Sequence, residues 1–254
     1  MENYFNEKNS DFYDLEYFLS LEYRYFSGAH QSKVKNILKY LDNLGLQGKR
    51  VLDVGCGGGY LTNEISKLGA RVIGCDYSKY AIKFTKERYP NLDIVQCSAY
   101  EIDKLGIEKL DLVTAFDLLE HLRYPEIFLN KALKILKLGG RLVINTDNGK
   151  YLFKKKPFNR LRNLLMRTSS SGRAYRLIGK VEAHRRQLKN YHQSHINIET
   201  PEEWINKINQ AGFQIERMVI YPLIPIPILD FLCKFLPPFL RSDHLLIVAR
   251  VPGR

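Results

Sequence analysis

The chain has 254 residues, 45% of them hydrophobic and 12% aromatic, which is enough for a full core and argues against disorder. Its first 30 residues are acidic and aromatic, which argues against a secretory signal peptide, so we expect a cytoplasmic protein. The four cysteines form no C-x-x-C pair and are expected to be free thiols in a reducing compartment.

The formal net charge of +12 is concentrated in one segment of the chain. Residues 150–190 contain thirteen lysines and arginines and a single acid, Glu182, so the rest of the chain is electrically balanced. A cluster of this kind attracts anionic partners, which include phosphate groups and the surface of an anionic membrane. Where the anionic partner is a membrane, we expect peripheral binding to its surface.

Residues 1–45 are expected to form an N-terminal helical cap. The first 28 residues carry nine aromatic side chains, which either cover a ligand pocket or pack on the core. The amphipathic pattern of Gln31–Leu44 then predicts a helix that ends at Gly45. A short apolar run, Arg50–Val54, predicts the first buried strand.

A glycine-rich turn follows this strand directly and leads into a helix that ends at Gly69. The turn contains Gly55, Gly57, Gly58 and Gly59. Glycines allow backbone N–H groups to approach a ligand above the positive end of a helix. Tyr60 occupies the place where a dinucleotide fingerprint needs a small residue, and no Lys-Ser/Thr pair follows, so the turn is neither that fingerprint nor a P-loop.

The second strand, Arg71–Asp76, ends in an acid about 20 residues after the glycines, the usual place for a carboxylate that binds ribose hydroxyls. Helices and strands then alternate. The predicted elements are helix Lys79–Tyr89, strand Leu92–Gln96, strand Leu110–Ala115, helix Pro125–Leu136 and strand Arg141–Asn145. This alternation predicts an α/β fold with a doubly wound, mostly parallel sheet and a ligand at the carboxyl ends of strands 1 and 4.

Residues 146–199 interrupt the alternation after strand 5 and are predicted to form a basic helical insertion, or lid, beside the mouth of the site. Thr200, Pro201 and Glu203 then form a capping-box pattern that begins another helix. Two further strands, Phe213–Tyr221 and His244–Val251, are expected to complete the sheet.

The segment between these two strands, residues 222–240, is apolar but holds five prolines, so it is too interrupted to span a bilayer. Three alternatives remain open for its apolar surface. It covers the substrate pocket or the core, it dips into a membrane interface, or it makes a dimer contact.

Three motifs in order resemble the class I S-adenosylmethionine-dependent methyltransferases. These motifs are Asp53-Val-Gly-Cys-Gly-Gly-Gly59, Asp76 and Asp117-Leu-Leu-Glu-His-Leu122. The likeness is greatest to the small-molecule branch that includes the ubiquinone-biosynthesis O-methyltransferases, and it covers residues 30–148 well. It implies one methyltransferase domain over residues 1–254, with a Rossmann-like seven-stranded sheet whose last two strands form an antiparallel edge.

The resemblance also implies a set of residues that bind S-adenosylmethionine. Gly55 and Gly57 would hold the amino-acid end of the cofactor, and Asp53 would act near its ammonium group or serve as a buried acid that caps the turn. Asp76 would accept both ribose hydroxyls. Tyr77 would lie against the adenine.

The chain departs from the family pattern after strand 3. The family commonly has Asp-Ala there, with the acid on the adenine amine, whereas this chain has Ser98-Ala99. Ser98 can accept a hydrogen bond but carries no charge, so adenine recognition would depend more on backbone groups. Phe116 and Asp117, just past strand 4, would line the methionine part of the pocket.

The general base is harder to assign among six histidines. His121 lies in the Glu-His-Leu motif, and His195 lies where the insertion returns to the core, a region that faces the substrate in relatives. Both are candidates for catalysis, with a plain structural histidine as the alternative for each. Glu120 and His121 alone are not a metal signature, and we expect no metal.

The sequence thus favours an enzyme that methylates a small or lipid-like acceptor, which the basic and apolar segments suggest is anionic, with O-methylation preferred. An RNA methyltransferase that binds phosphates through residues 150–190 is the first alternative. A non-catalytic scaffold that binds the cofactor is the second. The oligomeric state, the pathway and the acceptor atom are open.

Overall fold

The computed structural model describes residues 31–107, 109–149, 195–220 and 244–253. The predicted N-terminal aromatic segment, residues 150–194 of the predicted basic insertion and the apolar segment 222–240 lie outside these residues, and so do His184, His192 and Cys233.

The described chain contains five α-helices and seven strands, which we number in chain order. The helices are α1 (Gln31–Asn43), α2 (Tyr60–Lys67), α3 (Lys79–Arg88), α4 (Pro125–Ile135) and α5 (Pro201–Gln210). The strands are β1 (Arg50–Val54), β2 (Arg71–Asp76), β3 (Asp93–Gln96), β4 (Leu110–Phe116), β5 (Leu136–Asp147), β6 (Gln214–Ile220) and β7 (His244–Arg250). Two single turns of 3₁₀ helix, Ile102–Lys104 and Leu119–His121, follow β3 and β4.

The strands form one sheet in the order β3-β2-β1-β4-β5-β7-β6. The pairs from β3 to β5 are parallel, and β7 pairs antiparallel with both β5 and β6. The strand order reverses between β1 and β4, which opens a crevice at their carboxyl ends. The doubly wound, mostly parallel seven-stranded sheet with an antiparallel edge is therefore confirmed.

The sheet is buried on both faces because its strands are apolar at successive positions. Val51 and Leu52 are each fully buried, but they belong to two different hydrophobic clusters. The Val51 cluster includes α1 through Val34, Ile37 and Leu41, and the Leu52 cluster includes α4 and α5. Because neighbouring side chains on a strand point to opposite faces, the two clusters are the two sides of one sheet.

The helix ends were predicted from glycines and from a capping-box pattern, and the structure confirms these predictions. Gly45, Gly69 and Gly212 follow α1, α2 and α5 with positive φ angles of 63°, 84° and 95°, which glycine adopts without a steric penalty. At the start of α5, Thr200 accepts the Glu203 N–H and Glu203 accepts the Thr200 N–H, which is the predicted capping box.

Strand β5 is longer than predicted at both ends. The sequence predicted Arg141–Asn145, but the strand runs from Leu136 to Asp147. At its start Leu136 pairs with Leu110, and the register then shifts so that Leu112 pairs with Arg141. At its end Asp147 pairs with His244 of β7, so tertiary pairing extends the strand past its apolar stretch.

Among the helices that the structure describes, none is long and apolar enough to cross a membrane.

Candidate active site

The glycine turn after β1 is a tight reversal that needs glycine at several positions. Gly55, Gly57 and Gly59 have φ angles of 74°, 53° and 76°, which side chains rarely tolerate. A Cβ atom on Gly59 would also lie 2.3 Å from Cγ2 of Thr85 on α3. The Thr85 hydroxyl donates to the Gly57 carbonyl at 2.8 Å, so α3 fixes the shape of the turn.

Helix α2 begins directly behind this turn, with Gly59 as its N-cap. In the described structure no side chain caps this helix, and its first turn holds no acidic residue. The positive end of the helix therefore faces the turn with no acidic residue in its own first turn. A ligand carboxylate suits this environment, and the amino-acid end of S-adenosylmethionine carries one.

Asp76 ends β2 beside the turn, where the sequence placed it. Its Oδ2 accepts the Gly57 N–H at 3.0 Å, and its Oδ1 accepts the Ser78 N–H at 2.8 Å. Burial raises the pKa of this carboxyl, and the backbone N–H groups of Ser78 and Gly57 oppose the shift. Each oxygen of a carboxylate has two acceptor positions, so an oriented Asp76 retains the capacity to accept ribose hydroxyls.

Asp53 points into the core instead. It is 2% exposed, and its two oxygens accept the hydroxyls of Thr62 at 2.6 Å and Thr114 at 2.7 Å. Burial raises its pKa to about 6, although the two hydroxyls lower it. Asp53 therefore connects β1 to α2 and β4, and its role near the cofactor's ammonium group stays a prediction.

The residues predicted to contact adenine follow β2 and β3 at the same edge of the sheet. Burial, and then the charge of Asp76, raise the pKa of Tyr77 to about 12. The Ser98 hydroxyl is buried and accepts the Tyr100 N–H at 3.1 Å, and Ala99 is buried beside it. The Cys97 N–H donates to the Asp76 carbonyl at 2.9 Å and thereby joins the two strand ends.

Phe116 ends β4 on the other side of the crevice, and Asp117 follows it directly. Phe116 is buried, while Asp117 has a φ angle of 50° and is the one described residue other than glycine with positive φ. Its Oδ2 lies 2.6 Å from the Lys33 Nζ, and its Oδ1 accepts a hydrogen bond from the Asn145 side chain. A Cβ atom on Gly55 would lie 3.0 Å from Cδ1 of Leu118, so this loop packs against the glycine turn.

Beyond Asp117 lies a group of acids and histidines. The Asp147 Oδ2 is 2.8 Å from the His195 Nδ1, and the side chain of His195 remains 43% exposed. Glu120 is buried and accepts the Thr146 hydroxyl at 2.9 Å. Burial, and then the charges of Asp117 and Asp147, raise the pKa of Glu120 well above its ordinary value.

The two predicted catalytic histidines are brought together. The rings of His121 and His195 meet edge to face, with centroids 4.6 Å apart. Backbone hydrogen bonds hold the chain next to His195 against the loop after β4, because the Ile196 and Asn197 N–H groups both donate to the Glu120 carbonyl. His195 is the more exposed and is oriented by a carboxylate, so its geometry suits a general base better.

The described residues also include one group that could hold a metal. Glu120, Asp147 and His195 offer one ligand atom each, and these atoms lie within 4.8 Å of one another. Carboxylate oxygens and an imidazole nitrogen are ligands that divalent ions accept. The sequence missed this group because its members come from three separate stretches of chain, and the expectation of no metal stays a prediction.

Three residues of the site were missed by the sequence-based reasoning. Asp147 was missed because the predicted strand stopped two residues before it, and Asn145 was missed because it was considered only as the last residue of that strand. Lys33 was missed because it reads as a polar position of an amphipathic helix. The contact between Lys33 and Asp117 places the start of α1 at this edge, and no local pattern in the sequence signals that contact.

Comparisons with known proteins agree with this geometry. Residues 52–144 match the family described as "Methyltransferase domain". A protein of Coxiella burnetii named ubiquinone biosynthesis O-methyltransferase is 33% identical over 152 residues, which are 56% of this chain and 65% of that protein. A protein of the same name from Nitrosococcus oceani is 36% identical over 116 residues, which are 44% of this chain and 49% of that protein.

The chain thus matches less than two thirds of the length of these curated relatives. Among solved structures, magnesium protoporphyrin IX methyltransferase from Synechocystis PCC 6803 with bound SAH superposes with a TM-score of 0.61 at 15% identity. That match covers 95% of this chain and 97% of the other, and at such low identity it shows the fold. Residues 52–144 thus match a methyltransferase-domain family, and this stretch contains the glycine turn and Asp76.

Proposed function

We propose that the protein methylates a hydroxyl group of a small amphiphilic acceptor with S-adenosylmethionine as cofactor. The observation that carries this proposal is the Asp147–His195 pair, which lies at the carboxyl edge of the sheet beyond the glycine turn and Asp76. The curated relatives are named O-methyltransferases, and the same chemistry suits this site.

When bound, the cofactor supplies an electrophilic methyl group. Asp76 and the glycine turn would hold it, and Asp147 would hold the Nδ1–H of His195 in the tautomer whose Nε2 is free to accept a proton. His195 would take the proton of the acceptor hydroxyl at Nε2, which makes the acceptor oxygen a stronger nucleophile. Half-exposed imidazole beside a buried carboxylate is the arrangement that this role needs.

The surroundings of His195 support an amphiphilic acceptor. Ile196 and Ile198 follow it in the chain and are 50% and 37% exposed, although both are large apolar side chains. An acceptor with an apolar body would cover them. The basic sequence of residues 150–190 would attract an anionic headgroup or the membrane surface that holds such acceptors.

The cofactor assignment is tested by isothermal titration with S-adenosylmethionine. Because Asp76→Ala removes charged hydrogen bonds to the ribose, we expect Kd to rise by roughly tenfold to a hundredfold. The matched control is Asp93→Ala, an exposed acid at the start of β3, which should leave Kd unchanged. An unchanged Kd for Asp76→Ala would refute the assignment.

The proton-transfer assignment is tested with phenolic acceptors of different acidity. Asp147→Asn and His195→Gln should lower kcat for an ordinary phenol by roughly a hundredfold or more. A phenol that is already ionised at the assay pH needs no base, so both variants should recover most of the rate with it. Equal losses for both phenols would exclude a general base at His195. Activity on RNA alone would overturn the proposal of a small amphiphilic acceptor.

A further inference from the structure

Lys33 is a buried lysine at the start of α1. Its side chain is 9% exposed, and its Nζ lies 2.6 Å from the Asp117 carboxylate, which is 33% exposed. Taking an ammonium group out of water is costly unless it is paired, so this contact is not an ordinary surface ion pair. The neighbouring Lys35 on the same helix is exposed, as a lysine usually is.

Asp117 is held in an unusual conformation by several contacts at once. Its positive φ is unfavourable for a side-chain residue, and such conformations persist where the surroundings determine them. Its backbone N–H donates to the Asn145 carbonyl at 2.8 Å, and its carboxylate contacts both Asn145 and Lys33. The result is a carboxylate fixed at the edge of the crevice, on the loop that packs against Gly55.

This edge carries an excess of negative charge. Glu120 stands three residues after Asp117, and burial, followed by the charges of Asp117 and Asp147, raises the pKa of Glu120. Asp147 is paired with histidines, His195 at 2.8 Å and His244 at 3.5 Å. Lys33 places a positive charge directly on Asp117, and the loop that carries Asp117 packs against Gly55 of the glycine turn.

We infer that Lys33 is a positioning residue that neutralises Asp117 and thereby sets how strongly the site prefers the sulfonium cofactor over its neutral product. This inference rests on the proposed function, because it needs the methionine part of the cofactor beside Asp117. S-adenosylmethionine carries a positive charge on sulfur, and S-adenosylhomocysteine does not. An Asp117 without its partner would attract the cation more and the neutral thioether no more than before.

The experiment measures Kd for both ligands by isothermal titration at low salt and compares their ratio, Kd of S-adenosylhomocysteine over Kd of S-adenosylmethionine. Lys33→Met keeps the apolar length of the side chain and removes its charge, so we expect the ratio to rise by roughly threefold to tenfold. Asp117→Asn leaves Lys33 without its carboxylate, and we expect the ratio to fall. Lys35→Met changes the net charge equally on the exposed side of α1 and should leave the ratio unchanged.

A purely structural role for Lys33 predicts a different outcome. Loss of a structural contact would weaken the binding of both ligands equally and leave the ratio of their Kd values unchanged. That result would overturn the inference even if both affinities fall. If the wild-type protein binds neither ligand, the proposed function fails instead. A ratio in Lys33→Met that changes only at low salt, and by the same amount in Lys35→Met, would point to net charge alone and would also overturn it.

Discussion

At the scale of single residues, Asp53 shows that an acid in a signature motif can be under electrostatic strain. Its carboxylate is buried, and its native pKa of about 6 exceeds the ordinary value of 3.8. A raised native pKa means that the folded state binds this proton more tightly than the unfolded state does. The contribution of Asp53 to stability is therefore greatest below pH 4 and is lost as the pH rises through about 6.

We predict that Asp53→Asn removes this loss, which amounts to about 3 kcal/mol for a shift of two pKa units. Urea unfolding at pH 4.5 and pH 7 measures it, because contributions of other groups cancel in the comparison with wild type. The variant should gain stability relative to wild type at the higher pH, even though one threonine hydroxyl must turn to accept from the new amide. Asp42→Asn, at an exposed acid of α1, is the control for net charge. If Asp53→Asn and the wild-type protein change in stability by the same amount between the two pH values, the pKa shift is contradicted.

The residues of the site differ in how well their location could be predicted from the sequence. Asp76 could be placed because a strand end and a fixed distance from the glycines determine its location. Lys33 could not, because its partner Asp117 is 84 residues away and the contact depends on how α1 packs. Asp147 fell between these cases, since a longer strand 5 would have placed it at the ligand edge.

At the scale of elements, the sequence predicted what local chemistry decides. The glycines after α1 and α2 and the capping box before α5 fix helix ends through backbone conformation and hydrogen bonds close in sequence. Strand β5 was predicted too short because its ends are set by partners, Leu110 at one end and His244 at the other. Pairing across a sheet is tertiary information, which periodicity in one strand does not contain.

The same contrast holds for the two sides of the crevice. On the β2 side, the cofactor residues come from short consecutive stretches, and each follows a predicted strand. On the β4 side, α1, the loop after β4, the end of β5 and the return of the chain at His195 meet at one edge. This convergence produces the group of acids and histidines, which could not be predicted from any single sequence motif.

At the scale of the whole molecule, the charge distribution separates two tasks. The described sheet and helices hold the candidate cofactor site, whereas the excess positive charge lies in the sequence of residues 150–190. The described chain stops at Gly149, shortly after β5, and resumes at His195, whose imidazole lies 2.8 Å from the Asp147 carboxylate at the end of β5. A soluble acceptor would not need this charge, whereas an acceptor at an anionic surface would be approached faster because of it.

We therefore predict that the protein floats with liposomes containing anionic lipid at low salt and is released as salt screens the attraction. Replacing Lys154, Lys155 and Lys156 by glutamine should weaken binding by roughly tenfold or more, at about 1 kcal/mol for each charge near the surface. The same change at the exposed Lys39, Lys83 and Lys86 lowers net charge equally outside the segment and should have little effect. Absence of flotation by the wild-type protein, together with salt-sensitive binding to RNA but not to heparin, would instead favour the phosphates of RNA as the partner of the basic segment.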